Sequence, residues 1–594
     1  MCRIAGIINA GMPVNAIEVA VKEMCRILKH GGPDDEGIYT NEGCHLVLGH
    51  RRLSLIDLSA AGHQPMAYGA GRFVISYNGE LYNYIELKAI LQKAGCAFTT
   101  ASDTEVILAA FATWGREAFA KFNGMFAFAL WDNTTGSIYL VRDAAGIKPL
   151  YFAHTKEGLA FASEVRGFKS IPYLQASHPH WPVYLMAYGH LPEPVTTLKE
   201  VRPLKKGCYL QYNVASGEIK QEAFTRYSYI EQINNREEAI TLIQRGLANA
   251  VKSHLLSDAP IGVFLSGGLD SSIIARLANE QHTDINTISL FFDDARFSEK
   301  KYQDLVQQKM HGNHYQQLLK EESFHADLPS IIGAMDLPSC DGINTWYISK
   351  FAKQHGLKAV LSGIGGDELY GGYPSFKRIA AALLAQKMPN AVLKSGSISG
   401  SRKLRRFCYL TIPGTVGMYL FLRGQFIPSE VGAYLNASEA EIWSILEEQP
   451  QLPNISNLTA KNQASWLEMN MFMQNQLLRD ADVMSMAHGI EIRIPFLEAN
   501  FLKLSLNIAS GVKYAGSYNK QLLVDSFKDM LPEQVWNRPK MGFAFPFKDW
   551  LINDKYAGAQ TGTKNAAYHK KFLEGKLHWS QFLTVFLMEN NKGA

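Results

Sequence analysis

The stretch IGVFLSGGLDSSIIARLA, Ile261 to Ala278, decides the fold of the larger part of this chain. An apolar run closes on Ser-Gly-Gly and a segment with helical spacing follows at once. That reads as a buried strand, a tight loop and a helix. Such a loop presents backbone N–H groups and the positive end of a helix dipole. Gly267 and Gly268 let the backbone approach an anion closely, and Ser266, Ser271 and Ser272 add hydroxyl donors. The loop is suited to phosphate oxygens. A plain strand–helix turn explains an arbitrary Gly-Gly pair, but the full string SGGLDSS is more specific than that. It lacks the lysine of a Walker A loop.

Asp270 is out of place in a loop that only grips anions. A carboxylate beside phosphates calls for a bridging cation, and Mg²⁺ prefers carboxylate and phosphate oxygens. A second turn of this kind, LSGIGGDELYGG (361–372), follows another apolar run and carries Asp367 and Glu368. A lone Asp367 would read as a helix cap. Two matched turns can instead clamp a Mg-nucleotide at the carboxyl edge of one sheet.

Outward from these turns, REEAITLIQRGLANAVKSHL (236–255) has helical spacing, and DINTISLFF (284–292) reads as a strand. Strand alternating with helix predicts a parallel sheet covered on both sides. After Tyr373 the pattern is mostly helical. Before residue 236 the texture differs. CRIAGIIN, HLVLGHRRLSLID, RFVISYNGELYN, MFAFALWD and SIYLVRD read as strands, and AIEVAVKEMCRILKH and DTEVILAAFATWG as helices. The region from Trp181 to about Tyr229 reads as short strands and prolines closing the first domain, plus a linker. The expected division is a first domain at 2–215 and a second at 236–590.

A chain of 594 residues has room for two to four domains. A net charge of +4 is too weak to imply nucleic acid, and SRKLRRF (401–407) reads as a solvated helix face or a local anion contact. Seven cysteines, an odd number without a C-x-x-C pair, argue against a disulfide framework and a zinc site. No apolar run reaches the ~18 residues of a membrane span, and the N-terminus lacks a signal-peptide pattern. These features predict a soluble, cytoplasmic protein with no nucleic-acid or membrane partner and no redox cofactor.

Cys2 is the second anchor. Removal of Met1 would leave a terminal cysteine whose α-amino group, ordinarily titrating at about 7.7 to 8.0, can take the thiol proton. An ordinary buried cysteine is the bland alternative. Three motifs argue against it. NGE (78–80) follows a strand, and Asn78 with the Gly79 N–H can form an oxyanion hole. RRLSLID supplies Arg52, a fork suited to a substrate carboxylate. SDTEV supplies Asp103, suited to a substrate ammonium. Together they describe a pocket for an amino acid with a reactive side-chain carbonyl, and glutamine fits.

Cys2, Arg52, NGE and SDTEV, with RDAAGIKPLY (142–151), resemble the N-terminal-nucleophile glutaminase domain of class II glutamine amidotransferases. SGGLDSS resembles the pyrophosphate loop of ATP pyrophosphatases that adenylate carboxylates. The order of the two resembles the glutamine-hydrolysing asparagine synthetase family, with late matches in LRDADVMSMAHGIEIRIPFLE (478–498) and at Lys520 in YNKQLLVDSF. The fold implied is an α+β Ntn-hydrolase sandwich of stacked antiparallel sheets between helices, followed by an α/β ATP-pyrophosphatase sheet with a helical C-terminal part.

The resemblance also implies roles. Cys2 would attack glutamine, with Asn78 and Gly79 stabilising the oxyanion. Arg52, Leu53, Ser54, Leu55, Ile56, Glu80 and Asp103 would hold the glutamine, and ammonia would cross an internal tunnel. Phe264, Leu265, Ser266, Gly267, Gly268, Asp270, Ser271, Leu290, Ser362 and Gly363 would bind ATP, and Asp270 and Asp367 would bind Mg²⁺. Lys520 would neutralise charge on the activated carboxylate and phosphate. The implied partners are small molecules (glutamine, ATP and an acid such as aspartate), and the family tendency points to a homodimer.

Two departures stand out. Gly31 in HGGPD occupies the place of an arginine in the family pattern RGPD. Ile364 in SGIGGDE occupies the place of a glutamate tied to making and using aspartyl-adenylate. Asp341 or Glu368 could substitute for that glutamate. The expected product is asparagine from β-aspartyl-AMP. The alternatives are amidation of another carboxylate (a uronic acid of a surface polysaccharide or a natural-product acid), a ring-closing synthetase using an internal amine, and an inactive regulator. The intact set Cys2, Asn78, Gly79 and Asp103 argues against the ring-closing reading, and retention of both phosphate turns and the thiol pocket argues against the inactive regulator.

Overall fold

The computed structural model describes residues 2–396, 401–448, 452–541, 545–553 and 563–590. Strands of the first part form two six-stranded sheets. One contains β1 (Arg3–Ile8), β2 (Asp35–Asn41), β3 (Leu46–Arg52), β8 (Tyr151–Thr155), β9 (Gly158–Ala162) and β10 (Arg202–Pro203), in the order β10-β8-β9-β1-β3-β2. The other contains β4 (Met66–Tyr68), β5 (Phe73–Leu81), β6 (Gly124–Asp132), β7 (Ser137–Arg142), β11 (Cys208–Asn213) and β12 (Ile219–Ala223), in the order β12-β11-β7-β6-β5-β4. All pairings in both sheets are antiparallel. The second sheet thus runs on to Ala223, past residue 215.

Alternation along the strands explains the layering, because successive side chains point to opposite faces. Ile4 and Ile8 of β1 meet Val74 of β5 and Ala127, Ala129 and Trp131 of β6 between the sheets. The opposite residues of β1, Ala5 and Ile7, pack on Ile17, Val21 and Met24 of the helix Val14–Ile27. On the far side, Ile75 and Tyr77 of β5 pack on Val106 and Phe111 of the helix Asp103–Trp114. The result is helix, sheet, sheet, helix. Trp131 is fully buried between the sheets, and truncating such a side chain to alanine costs about 3–5 kcal/mol.

The second part holds five parallel strands: β13 (Ile261–Phe264), β14 (Asn286–Phe291), β15 (His314–Leu318), β16 (Ala359–Leu361) and β17 (Glu491–Arg493). Their order is β15-β14-β13-β16-β17. The chain therefore moves one way from β13 and returns to its other side at β16. The loops at 265–268 and 362–365 leave the carboxyl ends of two neighbours where the winding reverses, the place where such sheets bind ligands.

Three elements depart from the sequence reading. Trp181–Tyr188 is a helix, not part of a strand-and-linker region. It is buried on nearly every side against Tyr409, Tyr419 and Phe426, so its sequence shows no one-sided apolar stripe. Polar HYQQL forms the edge strand β15, and β17 has only three residues, too short for an alternation signal. Between residues 460 and 486 the chain is helical throughout, but Glu468–Leu477 is π-helical. Such widened turns commonly sit at functional sites.

Two candidate active sites

Cys2 lies just before β1, buried, with its backbone nitrogen 3.1 Å from Asn78 Oδ1 and its Sγ 4.0 Å from the Leu53 carbonyl oxygen. Burial pushes the thiol up from its ordinary value, so it needs a base to become nucleophilic. Asn78 is fully buried in β5 opposite Ala127 of β6. Its Oδ1 faces Cys2, while its Nδ2 has no hydrogen-bond partner among the described residues. A buried amide donor without a partner, next to the Cys2 backbone, has the chemistry that an oxyanion hole requires. At Gly79 a Cβ would fall 2.2 Å from the Met125 carbonyl oxygen, so only glycine allows β5 and β6 to close there.

Arg52 ends β3 beneath the loop that carries Leu53, Ser54, Leu55 and Ile56. Its guanidinium donates to the carbonyls of Ser59 at 2.9 Å, Ile56 at 3.4 Å and Asp57. In this structure Arg52 props that loop. The loop is also tied to the second part of the chain. The Leu55 carbonyl accepts the Asp258 N–H at 2.8 Å, and the Asp57 N–H donates to Asp258 Oδ2 at 2.8 Å. Ser54 N–H donates to Asp34 Oδ2 at 2.9 Å, and that same oxygen lies 2.6 Å from Lys358 Nζ. Leu53 and Leu55 pack on Ala259, Ala359 and Met486.

Glu80 and Asp103 are both buried on this side. Burial and the Glu491 charge push Glu80 well above the usual carboxylate range, with Arg493 Nη2 at 3.7 Å opposing. Asp103 Oδ2 accepts the Tyr77 hydroxyl at 2.9 Å and the Leu81 N–H at 3.0 Å. Burial lifts its pKa to about 6, and those two donors restrain the rise. The structure brings Cys2, Asn78, Gly79 and the Leu53 carbonyl to one place, with Arg52 and Asp103 bracing the walls.

The second site is a cleft of about 530 Å³ at the carboxyl edge of the parallel sheet. Phe264, Leu265, Ser266, Gly268, Asp270, Ser271, Ser362 and Gly363 lie on its wall. Two of the expected residues do not. Gly267 turns away in the left-handed region at φ +82, its carbonyl accepting Arg538 Nη2 at 2.9 Å. Leu290 is inside the sheet core, its carbonyl accepting Gln303 Nε2 at 2.9 Å. Ser266 and Ser271 hydroxyls lie 2.9 Å apart, and the Gly268 N–H donates to Ser266 Oγ at 3.2 Å. The loop is shaped by its own serines.

The two turns interlock. A Cβ at Gly363 would lie 2.9 Å from the Ser271 nitrogen, and one at Gly366 would lie 2.5 Å from Asp270 Cγ. Glycine at both positions lets the Asp270 carboxylate nest against the second turn. One ammonium then bridges both turns, with Lys520 Nζ 2.6 Å from Asp270 Oδ2 and 2.8 Å from Asp367 Oδ1. Lys540 Nζ sits 2.6 Å from Asp367 Oδ2. Burial works against ionising Asp367, but the Lys520 and Lys540 charges hold it down at about 2. Burial wins at Asp270, which is raised despite Lys520. Asp367 does not cap its helix. Glu368 does part of that work, accepting the Gly365 N–H at 3.0 Å.

Toward the far end, the wall carries Ile364, Asp341, Asp480, Phe472 and Leu477. Burial and the Asp341 charge lift Asp480 to about 7, with Arg479 opposing, and Ser339 donates to it at 2.5 Å. Glu368 is likewise lifted to about 7 by burial and by Asp367. Sequence reasoning missed Asp480, Arg538 and Lys540. Each reaches the cleft from a helix or loop far along the chain, and no local spacing announces it. Phe472 and Leu477 are presented by the π-helical stretch.

The description "Glutamine amidotransferase domain" matches residues 1–227, and "Asparagine synthase" matches residues 242–571. The chain is 30% identical to asparagine synthetase [glutamine-hydrolyzing] 1 of Bacillus subtilis, over 93% of this chain and 88% of that protein. It is 30% identical to a putative asparagine synthetase [glutamine-hydrolyzing] of Mycobacterium tuberculosis H37Rv, over 92% and 88%. Among solved structures it is similar to the glutamine phosphoribosylpyrophosphate amidotransferase of B. subtilis. There the identity is 15%, over 61% of this chain and 81% of that one, with a TM-score of 0.30.

Proposed function

This chain belongs to the asparagine synthase family and is a glutamine-dependent carbon–nitrogen ligase, and from that premise we propose that it makes asparagine through β-aspartyl-AMP. We assign the glutaminase to 2–215, with β12 completing its sheet, and the synthetase to 236–590. The observation that carries the reading is the convergence of Asp270 and Asp367, from two strand-end turns, on one Lys520 ammonium. That arrangement suits pyrophosphate and metal better than a plain turn does.

At the first site, Cys2 attacks the glutamine amide carbon. Asn78 Nδ2 and the Gly79 N–H hold the oxyanion. The α-amino group of the mature terminus takes the thiol proton and later returns it to the leaving ammonia. Hydrolysis of the thioester then releases glutamate. Buried Asp103 meets the substrate ammonium, and Arg52 holds the loop against which the substrate lies. Ammonia passes beneath Leu53, Leu55 and Met486, the apolar seam between the parts.

At the second site, the substrate carboxylate attacks the α-phosphorus of ATP and pyrophosphate leaves onto the SGGLDSS loop. The residues present fit Mg²⁺. Asp270 has a buried Oδ1 without a hydrogen-bond partner among the described residues, and Asp367 Oδ1 faces the Lys520 ammonium at 2.8 Å. No group of three or more His, Cys, Asp or Glu side chains gathers for a metal among the described residues. Mg²⁺ is characteristically held by one or two carboxylates plus substrate phosphates, and when bound it would neutralise phosphate charge. Lys520 supplies a fixed positive charge beside both carboxylates. Ammonia attacks the acyl-adenylate and AMP leaves.

A second reading, amidation of a different carboxylate such as a uronic acid, is favoured by the acceptor end of the cleft. Ile364 offers no charge there, and Asp341 and Asp480 are acids. The cleft-lining cations Lys520, Arg538 and Lys540 are all engaged with Asp270, Asp367 or Glu299. The α-carboxylate of aspartate would need a cation near those acids. The test is incubation with amide-¹⁵N glutamine, MgATP and a panel of aspartate and uronic acids, followed by mass spectrometry. The labelled amide identifies the acid. ADP in place of AMP would overturn the adenylation mechanism.

A further inference from the structure

Gly31 has a steric cause that no turn geometry supplies. A Cβ there would lie 2.7 Å from Arg3 Cγ and 2.8 Å from Arg3 Nε. The space beside residue 31 is filled by a guanidinium stem reaching in from β1. A side chain at position 31 would have to share this space with Arg3, the residue after the nucleophile.

Arg3 is fully buried, and its guanidinium lies among two carboxylates and a backbone carbonyl. Its Nε lies 2.6 Å from Glu164 Oε1, its Nη2 lies 2.9 Å from Asp482 Oδ2, and its Nη1 donates to the Cys2 carbonyl at 3.5 Å. Glu164 also takes His30 Nε2 at 2.9 Å and Arg166 Nε at 2.8 Å, so the anion beside Arg3 is anchored by His30 of the 29–31 turn and by Arg166. Asp482 belongs to the other part of the chain. It sits on the helix Leu478–Met486, where Asp480 lines the nucleotide cleft and Met486 packs on Leu53 and Leu55.

We propose that Arg3 is a positioning residue for Cys2. It stands in for an arginine at position 31 and holds the nucleophile's backbone to the helix that walls the synthetase cleft. A buried pair of this kind fixes geometry more than it adds stability. A displacement near 1 Å at a reacting group lowers turnover by about 100-fold. The inference rests on the amidotransferase reading above.

The test uses the full chain and follows glutamate release against glutamine concentration, with thermal unfolding measured on each variant. Arg3→Gly is expected to lower kcat by about 30-fold or more while KM moves less than about 3-fold. Gly31→Arg, which forces two side chains into one space, is expected to do likewise. The double exchange Arg3→Gly/Gly31→Arg is expected to recover to within about 5-fold of wild type, a non-additivity that independent sites do not show. Where Arg3→Gly fails to fold, Asp482→Asn reads the same link from the other side, with kcat expected about 10-fold down. An Arg3→Gly enzyme with undiminished kcat would overturn the proposal. So would a double exchange no better than the worse single variant, or a folded Asp482→Asn with wild-type kcat. A wild-type chain that releases no glutamate removes the amidotransferase reading itself, and this inference with it.

Discussion

The groups nearest the Cys2 backbone and thiol are the uncharged Asn78 side chain and the Leu53 carbonyl, with charged side chains set behind them, whereas the cleft at Asp270 and Asp367 is lined by ion pairs. Asn78 and Gly79 are fixed by strand pairing between β5 and β6. Asp103 and Glu80 are raised by burial. In the cleft, Lys520, Lys540 and Arg538 each engage a carboxylate. The difference follows from the chemistry. Acyl transfer from a neutral amide needs donors aimed at charge that develops only in the transition state. Adenylation brings a polyanion whose charge must be met before anything reacts. On the proposed reading, one site is preorganised by the sheet and the other holds its cations on carboxylates in readiness for phosphates.

If the two sites are separable, removing the thiol breaks one and spares the other. Cys2→Ala should lower glutamate release from glutamine by at least about 1,000-fold. With ammonium chloride as nitrogen source, AMP and pyrophosphate formation should stay within about 3-fold of wild type. Loss of the ammonia-driven reaction as well would mean that the thiol serves both pockets.

The converse cut goes through the bridging ammonium. Lys520→Met removes the charge between Asp270 and Asp367 and should lower ATP cleavage to AMP by about 100-fold or more, leaving glutamine hydrolysis in the absence of ATP within about 2-fold. Lys520 has φ +57, in the left-handed region, so Lys520→Gly relieves strain while removing the charge. If the glycine variant retains activity, the conformation mattered more than the ammonium.

What the sequence revealed follows the same divide. Cys2 with NGE, and SGGLDSS with SGIGGDE, were legible because each needs a particular local backbone, and local backbone is written in consecutive residues. The sheet-helix alternation was legible for the same reason. Arg538, Lys540, Asp258 and Lys358 were not, since each meets its partner across more than a hundred residues. The Trp181–Tyr188 helix was hidden by being buried on nearly all sides, and β17 by its length. Gly31 was visible as an oddity, but its cause, the Arg3 side chain, exists only in three dimensions.

The raised acid in the glutaminase pocket sharpens the contrast through pH. In the role proposed for it, Asp103 must be a carboxylate to hold an ammonium, and burial lifts its pKa to about 6. Protonation therefore competes as pH falls through 6, and glutamine KM should rise about tenfold per pH unit below that point. Asp367, held at about 2, stays charged throughout, so an acid step in KM for ATP should not come from it; such a step would belong to the raised acids of the cleft, Asp270, Glu368 or Asp480. Asp103→Asn should raise glutamine KM and abolish its acid limb. An unchanged limb in that variant would assign the titration to another group.

The smallest expected effect tests how far the two pockets are independent at all. Asp258 sits just before β13, yet it receives the Asp57 N–H and gives its own N–H to Leu55, so the synthetase side clamps the loop that carries Leu53 to Ile56. Asp258→Ala removes the side-chain bond and keeps the backbone one. An exposed neutral-to-charged hydrogen bond of this kind is worth about 1 kcal/mol, so glutamine KM should rise about 3- to 5-fold with kcat unchanged. The loop would bind substrate less well without moving the thiol. A parallel fall in kcat would mean that the clamp also sets the nucleophile. No change in either would mean that Lys358, acting through Asp34 and the Ser54 N–H, already holds the loop. Lys358→Met in the Asp258→Ala background would then show the loss that the single variant hides.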